Sequence, residues 1–261
     1  VYYALWPAFL AYFGSLFVGF LTPGRLGEFV KAFHVQKECD ISLARAVASV
    51  LADRLFDLCA LLIVGIAAIF ALSAIPGSAK AGAVAALLLL VVPVILFLQA
   101  PLLERVQRWA LKRDGRIGRI LFGRRGWLTE IHLGLRRLSW PAFLATSLLT
   151  VVAYTIFFGQ CYLLALALDL SASFLSVTFA VALGSLITLV PISISGLGTR
   201  DAVLIAYLGT VGVSAEAALS FSLLVFMTFY LGGGLLGMVA WWLKPAPWAK
   251  LREEQLAVVA D

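Results

Sequence analysis

Seven ionisable residues stand where an apolar chain has most reason to exclude them. In ADRLFDL, Asp53, Arg54 and Asp57 interrupt an otherwise aliphatic run; Arg25 and Glu28 lie in PGRLGE, and Arg200 and Asp201 in GLGTRD. An arginine within hydrocarbon costs between about 2.5 and 17 kcal/mol, depending on how much water reaches it, so it must be paired or wet. Asp57 follows Arg54 by three residues, which sets both on one helix face and allows an ion pair along it. That pair reads either as a lock between helices or as the wall of a polar cavity, where Arg54 meets a ligand and the aspartates tune or release it.

The two glycine-bearing motifs have a chemistry of their own. Glycine lets the backbone turn sharply, and the helix that follows starts with unpartnered N–H groups and the positive end of its dipole. Anions bind at such a terminus, and arginine adds a fork suited to phosphate or carboxylate oxygens. Arg25 and Arg200 thus mark two half-sites for a phosphate head group. Glu28 and Asp201 either cap their helices, orient the arginines or meet a cationic part of the ligand. Lys31 and Arg45, nearer the interface, are expected to snorkel to lipid phosphates. Ser185, Thr188, Ser193, Ser195 and Thr199 fit a wet groove or, equally, ordinary helix packing. LGGGLLG, residues 231–237, has no following Lys-Ser/Thr and reads as close helix packing rather than a phosphate loop.

Composition says what must hold these residues. The chain is 62% hydrophobic and only 13% charged, with a mean hydropathy of +1.02. Soluble domains run at roughly 45–50% apolar and 25% charged, so this is an integral membrane protein. Its apolar runs reach about 20 residues without the short alternation of barrel strands. The expected fold is all-α: a polytopic helical bundle of about six spans, near 1–21, 47–72, 81–99, 141–168, 172–191 and 216–243. Residues 1–243 form one transmembrane domain, and 244–261 a polar tail. The chain begins at Val1 inside an apolar segment, so further spans are expected upstream, and no signal peptide is needed.

Residues 101–140 carry ten arginines and lysines against Glu104, Asp114 and Glu130, a net charge of +7. Short basic loops stay on the cytoplasmic side. Trp109, Phe122 and Trp127 suit an interfacial helix on anionic lipid, and a nucleic-acid partner is not expected. Counting crossings from this segment places both polar motifs near the cytoplasmic side, a parity that fails if either is re-entrant. The motifs also share a sequel. DISLARAVAS starts 12 residues after Glu28 and GVSAEAALS 11 after Asp201, and each runs into a long apolar helix. This suggests an internal repeat with halves near 1–72 and 172–243, a pattern found in transporters.

Cys39, Cys59 and Cys161 have no paired spacing, and His34 and His132 do not complete a metal site. No HExxH, Ser-His or Cys-His constellation supports an intramembrane enzyme, and no cofactor is expected. No Walker motif supplies an energy source.

PGRLGEFVKAF, SLARAVASVLADRLFDL and GLGTRDAVLIAYLGTVGVSAEAALSFSLL, taken together and in this order, resemble the membrane domain of bacterial lysylphosphatidylglycerol synthase/flippases and their stand-alone relatives. The resemblance implies a multi-pass protein of the bacterial or archaeal cytoplasmic (inner) membrane that moves a charged phospholipid between leaflets. It assigns substrate contact to Arg25, Glu28, Asp53, Arg54, Asp57, Arg200 and Asp201. Family members often carry a further arginine in the helix after the second motif, where this chain has Val225 and Phe226. The soluble synthase half has no counterpart in these residues. An aminoacylated phosphatidylglycerol suits the mixture of charges, as do a zwitterionic lipid and a polyprenyl-phosphate-linked sugar. The competing class is a membrane partner or scaffold for lipid-linked glycosyl transfer. Besides phospholipid and membrane, the partners left open are a second copy of the chain and a separate synthase or glycosyltransferase.

The charge pattern predicts two salt responses. Added salt should release the 101–140 segment from anionic vesicles steeply, whereas head-group binding in a low-dielectric groove should weaken only modestly. Equal sensitivity, measured by vesicle sedimentation and head-group titration, would count against a buried anion site.

Overall fold

The computed structural model describes residues 3–72, 76–89, 127–136, 139–189, 193 and 196–245. Three helices among these are long and apolar enough to cross a membrane: Leu43–Ala71, Trp140–Ala167 and the continuous Ala215–Leu243. At 1.5 Å per residue each exceeds the roughly 30 Å of hydrocarbon. Two expected spans are shorter, the first as α1 (Leu5–Phe20) and the fifth as α7 (Phe174–Ile187); the third, 81–99, is described only as far as residue 89, within α4 (Gly77–Leu89). Residues 90–126, most of the basic segment, lie outside the described part, as does the tail beyond residue 245.

The first motif turns the chain back. After α1 the residues Pro23–Val30 form a 3-10 helix, Lys31–Cys39 form α2, and Leu43–Ala71 form α3. Thr22 anchors the turn, its hydroxyl donating to the Gly19 carbonyl at 3.1 Å and accepting from the Gly27 N–H at 2.7 Å. A Cβ at residue 27 would collide with the Val18 carbonyl, so only glycine permits this close return. Asp40, in the left-handed region at φ 50°, ends α2, and Ser42 caps α3 by accepting from the Arg45 N–H at 3.4 Å.

The second motif does the same. After α5 (Trp127–Arg136) and α6 (Trp140–Ala167), α7 and α8 (Thr199–Gly209) run antiparallel, Phe179 meeting Tyr207 and Gly184 meeting Leu204. Neither reaches the length of a bilayer crossing: 14 and 11 residues give about 21 and 16 Å. Gly196, at φ +77°, packs on Thr188, and a side chain there would be strained and would clash.

The two hairpins open toward opposite ends of the last long helix. That helix comprises α9 (Ala215–Val225), a π-turn (Phe226–Leu231) and α10 (Gly232–Leu243). It begins just after α8, and its far end packs on α1 in antiparallel register, with Gly14 against Trp241, Gly237 against Phe17 and Gly233 against Phe20. Lys244 pairs with Glu38 at 2.7 Å, which brings the end of α2 to the same level. The two hairpins thus turn back from opposite ends of the bundle, an arrangement in which counting crossings does not assign a side to either motif. The glycines of LGGGLLG pack against α1, as expected from their spacing. The main apolar core lies around the second hairpin, with Leu61 and Ala68 of α3, Cys161 of α6, Ala180 and Leu186 of α7, Leu204 and Leu208 of α8 and Phe221 of α9.

Because the Gly27 Cβ position overlaps main chain rather than a movable side chain, Gly27→Ala should cost about 1–3 kcal/mol. Gly14→Ala should be tolerated, because its Cβ would sit 3.6 Å from Trp241, an ordinary contact. Thermal unfolding of both variants in detergent would compare the two sites directly.

Candidate functional site

Arg54 is the twelfth of the 29 residues of α3, deep enough that its charge must be met by other protein groups. Its Nη1 lies 3.0 Å from Glu28 Oε2, and its Nη2 lies 2.9 Å from Asp57 Oδ2 and 3.2 Å from Asp53 Oδ2. Asp53 in turn pairs with Lys31. Glu28 reaches Arg54 because the 3-10 segment folds back along α1; only 1% of it is exposed. Asp53 and Asp57 arrive by helical spacing from α3 itself. The expected Arg54–Asp57 pair is present, and α2 and the 3-10 segment complete it.

Lys31 is not at a lipid interface. It is buried, paired with Asp53, and its Nζ stands 5.4 Å from the centre of the Tyr12 ring. Snorkelling fails as an expectation because the return of the hairpin turns this residue toward α3. Arg45 is exposed, in keeping with the interfacial reading. The Arg25 backbone belongs to the 3-10 helix, and its side chain lies outside the described part.

Glu28, Arg54 and Asp57 line a cavity of about 540 Å³ bounded by α1, α3, α6, α7 and the π-turn. Ser185 and Thr188 contribute its polar wall, and Phe20, Phe157 and Tyr230 its aromatic one. The volume falls in the range of small-molecule sites, roughly 300–1,000 Å³. Exposure within the cluster is uneven: the Asp53 and Asp57 side chains are 46% and 31% exposed, whereas that of Arg54 is 25% and that of Lys31 11%.

The second hairpin builds a different arrangement. Arg200 is 3% exposed; its Nη2 donates to Asp201 Oδ1 and to the Ser222 carbonyl, each at 3.1 Å, and its Nε donates to the Ser222 hydroxyl at 3.3 Å. Ser222 donates to Asp201, and Asp201 also accepts from the Gly198 N–H at 2.9 Å, so it caps α8. Asp201 thus takes one of the N–H groups at the start of α8 while it holds Arg200. The guanidinium carbon lies 5.0 Å from the Tyr230 ring centre and 5.6 Å from that of Phe226, within cation–π range. The π-turn presents these two rings stacked at 5.5 Å, one residue type where the resemblance leads one to expect an arginine. Ser193 and Thr199 share a hydrogen bond at 2.8 Å beside it; Ser195 lies outside the described residues.

Tyr230 links the two halves, lining the cavity on one face and taking Arg200 on the other. Sequence reading missed it, along with Ser222 and Tyr12, because each belongs to an apolar run in which aromatic and small residues are ordinary. Residues 3–237 match the family described as lysylphosphatidylglycerol synthase TM region. The chain belongs to this family. No curated protein and no solved structure gives a significant match. The lysylphosphatidylglycerol synthase TM-region match covers both hairpins and all seven ionisable residues, and ends within α10.

Arg200 uses its planar fork to hold two elements at once, which an ammonium does not reproduce. Arg200→Lys should destabilise the protein by about 2 kcal/mol or more, and Ser222→Ala by less, since the Asp201 pair survives it. Unfolding temperatures in a common detergent would rank them.

Proposed function

We propose that the protein is a lipid flippase that moves an aminoacylated anionic phospholipid, of the lysylphosphatidylglycerol type, between the leaflets of a bacterial or archaeal cytoplasmic membrane. What supports this reading is a cavity of about 540 Å³ in which Arg54 and Asp57, both partly exposed, stand as a paired cation and anion with the buried Glu28 behind them. An ammonium on the head group meets Asp57 on entry. Once it neutralises that carboxylate, an edge of Arg54 is released toward the phosphate. The acyl chains need no protein site, because the bilayer already solvates them.

On this reading the positive-inside rule puts the mouth of the first hairpin in the cytoplasm, since α5, at the end of the basic segment, packs on the start of α3 there, with Glu130 bonded to Ser42. The second hairpin then opens to the other leaflet. Two hairpins from opposite sides whose tips meet at one cavity suit a substrate that must be reached from each side in turn. On this reading the protein binds and moves its lipid without covalent chemistry, and any lysyl transfer belongs to a synthase domain or chain. A zwitterionic lipid and a polyprenyl-phosphate-linked sugar are the competing cargoes, and a scaffold for lipid-linked glycosyl transfer is the competing class.

Lysylphosphatidylglycerol movement across proteoliposomes should be abolished by Arg54→Ala and reduced at least tenfold by Asp57→Asn, with both variants folded by circular dichroism. Full movement by both folded variants would place Arg54 and Asp57 in a structural role and favour the scaffold.

A further inference from the structure

A second cavity, of about 420 Å³, lies on the other side of α3, between α3, α5 and α6. Its floor is apolar, from Ala48, Ala52 and Phe56 of α3 and Leu133 of α5, and its polar rim holds Arg45, Asp53 and Glu130, so that a cation for a phosphate stands beside two carboxylates for an ammonium. Two features make this more than a gap between helices. Glu130 is fixed in place, one carboxylate oxygen lying 2.6 Å from the Ser42 hydroxyl that caps α3. Asp53 belongs both to this rim and to the ion cluster of the central cavity, through its bonds to Lys31 and Arg54. A carboxylate on the rim of this cavity is therefore bonded to Arg54, which lines the other.

We infer that this second cavity is a vestibule for the ammonium group of an amphiphile, and that Lys31 is the tethered cation holding Asp53 until such an ammonium arrives. The inference deepens the flippase reading by naming an antechamber for the same cargo, and rests on that reading for the identity of the amphiphile. Lys31 has the chemistry of the ligand it stands in for: a primary ammonium on a flexible stem, held by a carboxylate and by the face of Tyr12. An arriving ammonium competes for Asp53 from the vestibule side while Glu130 supplies the second carboxylate. Asp53, the most exposed acid of the cluster, is the group both can reach. When Asp53 changes partner, Lys31 and Arg54 are loosened together, which ties occupancy of the vestibule to the central cavity.

The experiment measures binding, separately from transport. The whole protein in nanodiscs is titrated with lysylphosphatidylglycerol, with unmodified phosphatidylglycerol, and with soluble lysine ethyl ester, using a photoactivatable lysyl lipid to map contacts to α5 and α6. Glu130→Gln should weaken lysyl-lipid binding about three- to tenfold, the scale of a partly exposed charge contact. Thr146→Trp, which fills the vestibule from α6, should abolish crosslinking to α5. Lys31→Met should strengthen binding, and Lys31→Arg should not. Competition by lysine ethyl ester as strong as by the lipid would make the site one for free amines and overturn the amphiphile. Crosslinks confined to α1 and α7, or binding indifferent to Glu130→Gln and Thr146→Trp, would overturn the vestibule. Loss of lipid movement in Arg54→Ala with crosslinking to α5 intact would leave the vestibule standing apart from the outcome for the flippase reading.

Discussion

The structure depends on one guanidinium that has nowhere dry to go. Arg54 sits midway along a helix too long and too apolar to be anywhere but in the bilayer, and its own helix supplies only Asp53 and Asp57. The third carboxylate comes from outside. Glu28 can arrive only if the chain before α3 enters the membrane, stops and turns back, which explains why α1 ends after 16 residues and why a 3-10 segment follows it. A carboxylate carried alone to that depth would be as costly as the arginine, so the hairpin and the charged helix each make the other tolerable. The glycine at residue 27 is part of the same constraint, because Glu28 meets Arg54 only while the segment lies directly on α1.

The second hairpin meets the same physical problem with a local answer. Arg200 finds its carboxylate in the next residue, its remaining acceptors on Ser222, and two aromatic faces in the π-turn. A π-turn widens the helix by one residue per turn and recurs at functional positions; here it stacks Phe226 and Tyr230 beneath the guanidinium. The result is out of solvent, with Nε and Nη2 of Arg200 bonded within the hairpin and the last helix and its face on two rings. One hairpin thus offers ionised groups to a cavity, and the other pins the wall of that cavity through Tyr230. Similar motifs have been put to unequal uses.

Much of this was legible in the sequence because hydrocarbon punishes charge so severely. The helical class, the candidate charged positions and the helix packing of LGGGLLG all follow from asking what a bilayer forbids. What the sequence hid was direction. Hydropathy measures how apolar a segment is and not whether it crosses, so α1 and α7 read as spans although each is one arm of a hairpin. Lys31 was misread for the same reason: an interfacial lysine and one folded back against Asp53 have identical neighbours in sequence. Tyr230 and Ser222 carried no signal at all, since their roles exist only once α8 is laid against the last helix.

A binding site for a cargo that must leave again has to hold it weakly in each of several places rather than tightly in one. Ion pairs already made within the protein serve that end. An ammonium entering a cluster where every cation has a carboxylate gains only the difference between its own contacts and those it replaces, so the affinity stays modest although each bond is strong. Lys31 sets the reference for that difference, being itself an ammonium on Asp53. Under the proposed function a lysyl head group would exchange like for like, and its passage would cost little in either direction. A lipid without the ammonium leaves the carboxylates committed to Lys31 and Arg54, and its phosphate finds the guanidinium occupied. Selectivity on this reading comes from the price of breaking internal pairs, which only a cargo able to replace them recovers.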